Sequence, residues 1–127
     1  MSVVLDASAL LALLGDELGA DRAAAAVARG ASIGAVNLAE VASKLSASGM
    51  PDDEVRDVLG GLSLRVLAFD EDLAYRVAAL VPLTRPHGLS LGDRACLALG
   101  QREGLAVLTA DRTWDDLHLD VEVQRVR

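Results

Sequence analysis

Hydrophobic positions along the chain form short runs that alternate with segments of helical periodicity. Val3 to Leu5 is an apolar run that predicts a strand, and Ala7 to Leu14 then has helical character. Strand and helix patterns alternate in the same order along the rest of the chain. Strands are expected at 32–36, 64–69, 105–110 and 121–126, and helices at 20–29, 38–48, 70–81 and 90–102, with another helix opening at Pro51. The segment 83–89, which contains proline and glycine, is expected to be a loop.

This alternation predicts an α/β fold of three layers, in which helices cover both faces of a central, mainly parallel sheet of four to five strands. The chain has 127 residues, 52% of them hydrophobic, with only one Phe, one Tyr and one Trp. An aliphatic core of that size suits helices packed on a sheet. Because no internal repeat or linker is visible, one domain is expected over residues 1–127.

Charge and cysteine content narrow the possible functions. A formal charge of −7 argues against a broad basic face for nucleic acid, although carboxylates that converge on divalent cations would be neutralised locally. The single cysteine, Cys96, excludes an intrachain disulfide and a cysteine-based zinc site. The N-terminus lacks the basic start of a signal peptide, and no apolar stretch reaches the roughly 20 residues of a membrane span. We expect a cytoplasmic protein without a membrane segment.

Four carboxylates occupy comparable points of the predicted fold. Asp6 directly follows the first strand and Asp111 the fourth, and sites in parallel sheets form beyond the carboxyl ends of the strands. Glu40 and Asp93 lie one turn inside helices that start near that edge. If strands one and four are neighbours, all four acids can meet in one cleft. Such an all-oxygen ligand set suits Mg²⁺ or Mn²⁺.

Each acid also has a purely structural interpretation. Asn37 with Glu40, and Ser90 with Asp93, have the spacing of a capping box, in which a cap residue and an acid three positions later satisfy each other's backbone amides. A capping acid can also bind metal, so the two interpretations are not exclusive.

Asp6 and Asp111 have similar alternatives. Asp6 can be a turn acid, with Ser8 as the cap of the following helix. Asp111 can cap the short turn at 112–117. Neither interpretation excludes a role in metal binding.

Four ordered segments resemble the acidic motifs of PIN domains. They are Val4-Leu5-Asp6-Ala7-Ser8-Ala9-Leu10, Asn37-Leu38-Ala39-Glu40-Val41, Leu91-Gly92-Asp93-Arg94-Ala95, and Leu108-Thr109-Ala110-Asp111-Arg112 with Trp114 close behind. Each motif is short, but the ordered set spans nearly the whole chain. Length and layout are most similar to the VapC toxins of bacterial toxin–antitoxin pairs.

The resemblance implies a catalytic site in which clustered acids hold one or two Mg²⁺ or Mn²⁺ ions and hydrolyse RNA. Asp6 and Asp93 would be the central metal ligands, and Glu40 and Asp111 would complete the site directly or through water. An RNA substrate, a cognate antitoxin and a second copy in a homodimer are the implied partners. The RNA sequence that is cleaved does not follow from the acids.

Other residues of the motifs receive supporting roles from the resemblance. Ser8 and Thr109 match hydroxyl positions that can orient a ligand, although a helix cap and an ordinary strand residue are equally good interpretations. Arg94 and Arg112 each follow a site acid and can contact RNA phosphates, but solvent-facing arginines are the commoner case. The nearby acids 115 and 116 can supplement Asp111 or simply be surface acids.

Three alternatives to a nuclease fit the sequence less well. A receiver-like phosphoacceptor would need an acid pair after the first strand and a late lysine, but Lys44 is the only lysine and is misplaced. A dehalogenase-type phosphatase would need an acid two residues after Asp6, where Ser8 stands. A PIN-like binding module without catalysis, acting through a protein partner, is the more serious rival, and the complete acidic set argues against it.

Overall fold

Five parallel strands form one sheet in the computed structural model, which describes residues 2–127. They are β1 (Val3–Leu5), β2 (Ser32–Gly34), β3 (Arg65–Leu67), β4 (Ala106–Thr109) and β5 (Val123–Arg125). The strand order is β3-β2-β1-β4-β5, and every neighbouring pair is parallel. The first strand is therefore central and lies beside the fourth, which is the condition that the predicted site required.

Helices cover both faces of this sheet. They are α1 (Ala7–Leu14), α2 (Ala20–Ala28), α3 (Ala35–Ala47), α4 (Asp52–Gly60), α5 (Glu71–Ala79), α6 (Val81–Thr84) and α7 (Leu91–Glu103), with 3-10 turns at Arg85–His87 and Arg112–Asp116. None of the helices in residues 2–127 is both long and apolar enough to span a membrane.

The alternation of side chains along the strands divides the core in two. Val3 and Leu5 pack with residues of α1 to α4 on one face, whereas Val4 packs with residues of α5 and α7 on the other. In β4, Leu108 packs on the same face as Val3 and Leu5, and Val107 packs on the same face as Val4. The predicted three-layer α/β class is thus confirmed.

The start of α3 differs from the prediction. The second strand ends at Gly34, not at residue 36, because only residues 32–34 pair with β1 and β3. Gly34 has extended backbone, and the helix begins at Ala35 instead of residue 38. Asn37 consequently lies inside the first turn and does not cap the helix. The capping box predicted for Asn37 and Glu40 is wrong.

The segment 83–89 is not the irregular loop that its composition suggested. Residues Val81–Thr84 form α6, and a 3-10 turn follows at Arg85–His87. Proline is tolerated in the first turn of a helix, where its missing amide hydrogen has no partner to lose. Pro82 and Pro86 both occupy such positions, and Gly88, with a φ of 66°, ends the 3-10 turn.

Candidate metal centre

Asp6 stands where β1 gives way to α1, at the carboxyl edge of the sheet. Its backbone is extended, and its carboxylate Oδ1 accepts a hydrogen bond of 2.8 Å from the Ala9 amide. Asp6 itself is therefore the cap of α1, because its side chain reaches the amide of the third helical residue. The prediction that Ser8 caps this helix is wrong.

Two hydroxyl groups, Ser8 at the start of α1 and Thr109 at the end of β4, bind the Asp6 carboxylate. Ser8 Oγ lies 2.8 and 2.9 Å from the two carboxylate oxygens, and Thr109 Oγ1 donates to Oδ2 at 2.6 Å. Each hydroxyl also accepts a backbone amide, Ser8 from Ala110 at 2.9 Å and Thr109 from Asp111 at 3.0 Å. These bonds fix the orientation of Asp6 and tie it to the segment that follows β4.

The Asp6 carboxylate is buried, with 3% of the residue exposed. Burial raises its pKa from the ordinary value of 3.8 to about 6, although hydrogen bonds from Thr109, Ala9 and Ser8 lower it. The charge of Asp93 raises the pKa further, which places that second acid close by. Within residues 2–127, the groups that lower the pKa of Asp6 are hydrogen-bond donors, and no basic side chain is among them.

Asp93 is the third residue of α7 and completes the predicted capping box. Its Oδ2 accepts the Ser90 amide at 2.9 Å, and Ser90 Oγ accepts the Asp93 amide at 3.2 Å. One turn later lies Cys96, which is fully buried. Burial raises the pKa of its thiol well above the ordinary value, and the charges of Asp6, Asp93 and Glu40 raise it further. The charges of three of the four predicted acids therefore act on the same buried thiol.

Glu40 belongs to the second turn of α3, and its side chain is directed at α7. Its Oε1 accepts a hydrogen bond of 2.9 Å from Asn37 Nδ2, which also donates to the carbonyl of Gly92 at 3.0 Å. Gly92 immediately precedes Asp93, so this contact holds the Glu40 carboxylate at the first turn of α7. Sequence reasoning missed this role of Asn37. Glycine inside a helix is a signal that could have found it, because it weakens the helix unless close approach requires it.

Asp111 is the cap of the 3-10 turn that follows β4, as one sequence interpretation expected. Its Oδ1 accepts from the Thr113 amide at 2.9 Å and from the Thr113 hydroxyl at 2.8 Å. Its charge is not among those that raise the pKa of Asp6 or of Cys96. Asp111 is linked to Asp6 through the Thr109 hydroxyl, which contacts both residues.

The acids approach each other without forming a closed cage. Within residues 2–127, no three His, Cys, Asp or Glu side chains are close enough together to hold one ion. A hard cation such as Mg²⁺ nevertheless fits the donors present, because it usually takes one or two carboxylates and completes its shell with water and phosphate. Asp6 receives three donors and has about four acceptor sites, so it retains capacity for a metal.

The two predicted phosphate-binding arginines differ in setting. Arg94 is partly buried and its Nε has no hydrogen-bond partner within the described residues, whereas Arg112 is exposed. Contacts of either with RNA stay predictions. Of the two supplementary acids, Asp115 lies 3.2 Å from the guanidinium of Arg125, and Asp116 is exposed.

Residues 3–118 match the PIN domain family. The chain belongs to the PIN domain family. The family predicted from four short motifs is thereby confirmed over nearly the whole chain. A comparison of this PIN domain with curated proteins finds no match.

Several solved structures share the fold of this PIN domain. DNA-bound VapBC from Salmonella typhimurium is 17% identical with a TM-score of 0.77, covering 100% of this chain and 99% of that one. VapBC2 from Rickettsia felis, bound to a promoter fragment, is 14% identical with a TM-score of 0.77 and 98% coverage of both chains. VapBC-5 from Mycobacterium tuberculosis is 22% identical with a TM-score of 0.60, covering 99% and 98%. At these sequence identities, the structural similarity shows a shared fold and nothing further.

Proposed function

We propose that this PIN domain is a metal-dependent endoribonuclease toxin of the VapC type, inhibited by a cognate antitoxin. The observation that carries the proposal is the buried Asp6 carboxylate, whose pKa is raised to about 6 beside a second acid, Asp93. Family membership and the fold shared with VapBC toxin–antitoxin structures support the same assignment.

Burying a charged carboxylate lowers the stability of the folded protein, so a buried acid such as Asp6 suggests a functional role. Removing a carboxylate from water disfavours its charged form, and the three hydrogen bonds to Asp6 do not restore its ordinary pKa. Perturbed acids in such positions cluster at functional sites, above all where parallel strands end. A divalent cation is the partner that would neutralise Asp6 and Asp93 together.

In this proposal Asp6 and Asp93 hold Mg²⁺ or Mn²⁺, and Glu40 and Asp111 contribute directly or through water. The bound ion would supply an activated water and stabilise the charge that develops on the leaving 3′ oxygen. Glu40 would contribute from its position at the first turn of α7, where Asn37 links it to the residue before Asp93.

The hydroxyls of Ser8 and Thr109 would act by orienting Asp6. Each hydroxyl accepts a backbone amide, which leaves its own hydrogen to donate to the carboxylate. The carboxylate is therefore held in one rotamer before metal or RNA arrives, so little reorganisation is needed on binding. Arg94 and Arg112 would supply positive charge for the phosphates that flank the cleaved bond.

Partners follow from the same proposal. A cognate antitoxin would cover the acidic site, where a basic side chain would find the uncompensated charges of Asp6 and Asp93. A homodimer of this chain in the cytoplasm completes the proposed assembly. Mass measurement of the purified toxin with and without antitoxin would test both contacts.

The proposal is tested with purified protein, free of antitoxin, incubated with structured RNA. We expect cleavage with Mg²⁺ or Mn²⁺, none with EDTA, and none with Asp6→Asn under any condition. Asp57→Asn, which changes an exposed acid of α4, is the matched control and should cleave like the wild type.

The outcomes separate the nuclease from its rival. RNA cleavage by Asp6→Asn at the rate of an active wild type would overturn the site assignment. The non-catalytic binding module predicts instead that wild type and variant both leave every RNA intact, while each still binds the antitoxin.

A further inference from the structure

A single buried amide joins the two helices that carry Glu40 and Asp93. Asn37 on α3 is 1% exposed, and its Nδ2 lies 2.9 Å from Glu40 Oε1 and 3.0 Å from the carbonyl oxygen of Gly92 on α7. One nitrogen thus binds a side chain of its own helix and the backbone of the neighbouring helix.

The chemistry of these two partners fixes which residue can stand at position 37. A carboxylate and a carbonyl are both acceptors, so a nitrogen with two hydrogens must face them, and the flipped amide is excluded. Asn37 Oδ1 is buried and has no hydrogen-bond partner within the described residues. An unpaired buried acceptor lowers stability. Asn37 is therefore better explained by the two bonds that it donates than by packing.

Gly92 provides the space that Glu40 occupies. A β carbon placed on Gly92 would lie 2.5 Å from Glu40 Oε1, 2.6 Å from its carboxyl carbon, and closer still to Oε2. Gly92 is the second residue of α7 and has no positive φ, so its backbone would accept alanine. The missing side chain is needed for the Glu40 carboxylate and not for the helix.

We propose that Asn37 and Gly92 are positioning residues, which hold the Glu40 carboxylate beside Asp93 and thereby set the affinity of the site for its divalent cation. The inference rests on the proposed function, because it concerns the same acidic site. Glu40 is exposed and its side chain is long, so without this contact its carboxylate would be free to turn into solvent.

Gly92→Ala is the sharpest test. Because the atoms that the new methyl group meets are the far end of a flexible side chain, the fold should persist and only Glu40 should move. In EDTA the variant should melt at or above the wild-type temperature, since alanine is the better helix former. Its Mn²⁺ dissociation constant, measured by calorimetry, should rise roughly tenfold. Gly60→Ala is the matched control, because a β carbon there meets nothing within 4 Å.

A double-mutant cycle shows whether the effect passes through Glu40. Asn37→Ala and Gly92→Ala should each weaken Mn²⁺ binding alone but add little in the background of Glu40→Gln. Losses that multiply in that background would overturn the inference, as would wild-type affinity in Gly92→Ala. If Asn37→Ala proves too unstable to purify, the Gly92 and Glu40 arms still decide the result.

Failure of this inference is distinguishable from failure of the proposed function. If Asp6→Asn binds Mn²⁺ as tightly as the wild type, the acidic site is not the metal site and both proposals fall. If Asp6→Asn loses Mn²⁺ but Gly92→Ala keeps wild-type affinity, the proposed function stands and the positioning role is refuted.

Discussion

Replacing the buried acid at the proposed metal centre should stabilise the metal-free protein. The pKa of Asp6 is about 6 in the folded chain against an ordinary value of 3.8, so the folded state disfavours the charged carboxylate. Between these two values the folded chain binds more protons than the unfolded chain, and stability falls as pH rises. Above pH 6 the full penalty is present.

The size of the effect follows from the two pKa values. A difference between 3.8 and about 6 corresponds to about 3 kcal/mol of unfolding free energy, which is an upper bound. Asn is the neutral isostere of the acid, and the hydroxyls of Ser8 and Thr109 can rotate to accept from its amide. For a chain of this length, up to about 3 kcal/mol corresponds to a rise of about 10 °C in melting temperature.

The assay is chemical and thermal unfolding of wild type and Asp6→Asn in EDTA, followed by circular dichroism from pH 4 to pH 7.5. The variant should match the wild type near pH 4, where Asp6 is protonated, and should become progressively more stable toward pH 7.5. Addition of Mg²⁺ at pH 7.5 should raise the melting temperature of the wild type alone, because only its site can bind the ion. A variant that is less stable at every pH, or a difference that does not change with pH, would refute the reasoning.

Three further predictions use the same purified protein. Asp70→Asn should show the opposite pH dependence: the hydrogen bond from the Leu73 amide lowers the pKa of Asp70, so the wild type's advantage should be present at pH 7.5 and vanish as pH falls toward 3. Thr109→Val, which removes a donor from buried Asp6, should lower the unfolding free energy at pH 7.5 by about 1–3 kcal/mol in denaturant titrations. Cys96 should react with thiol reagents only after unfolding, because burial raises the pKa of its thiol; rapid labelling of the folded chain would contradict this.

Local patterns in the sequence were enough to predict the layers and the delivery of two acids. The apolar run before Asp6 and the run before Asp111 each end at the carboxyl edge of a parallel sheet, because β1 and β4 are neighbours. The spacing of Ser90 and Asp93 predicted a capping box that forms as expected. Such features depend on a few consecutive residues, and short-range physics decides them.

The start of α3 was not predictable in the same way. Residues 34–36 resemble the end of a strand by hydrophobicity, and the boundary depends on how many residues β2 pairs with its neighbours. The placement of Asn37 against Gly92 depends in turn on the packing of α3 on α7. The two residues of this contact are 55 positions apart, and the glycine inside α7 marks a close approach without showing which residue makes it.

The distances between the four carboxylates could not be predicted from the sequence either. Asp111 turns its carboxylate toward Thr113, and no three candidate ligands converge within residues 2–127. Side-chain rotamers decide these distances, and carboxylates without a cation repel one another. The sequence could place four acids at one edge of the sheet, but it could not fix their separations.

The central claim is that the Asp6 site binds a divalent cation on which RNA cleavage depends. The most direct measurement is the initial rate of cleavage of one structured RNA as Mg²⁺ is titrated, for wild type, Asp57→Asn and Asp6→Asn. We predict a saturable dependence on Mg²⁺ for the first two proteins and a loss of about 100-fold or more for Asp6→Asn. Cleavage that is independent of Mg²⁺, or an Asp6→Asn protein as active as the wild type, would contradict the account.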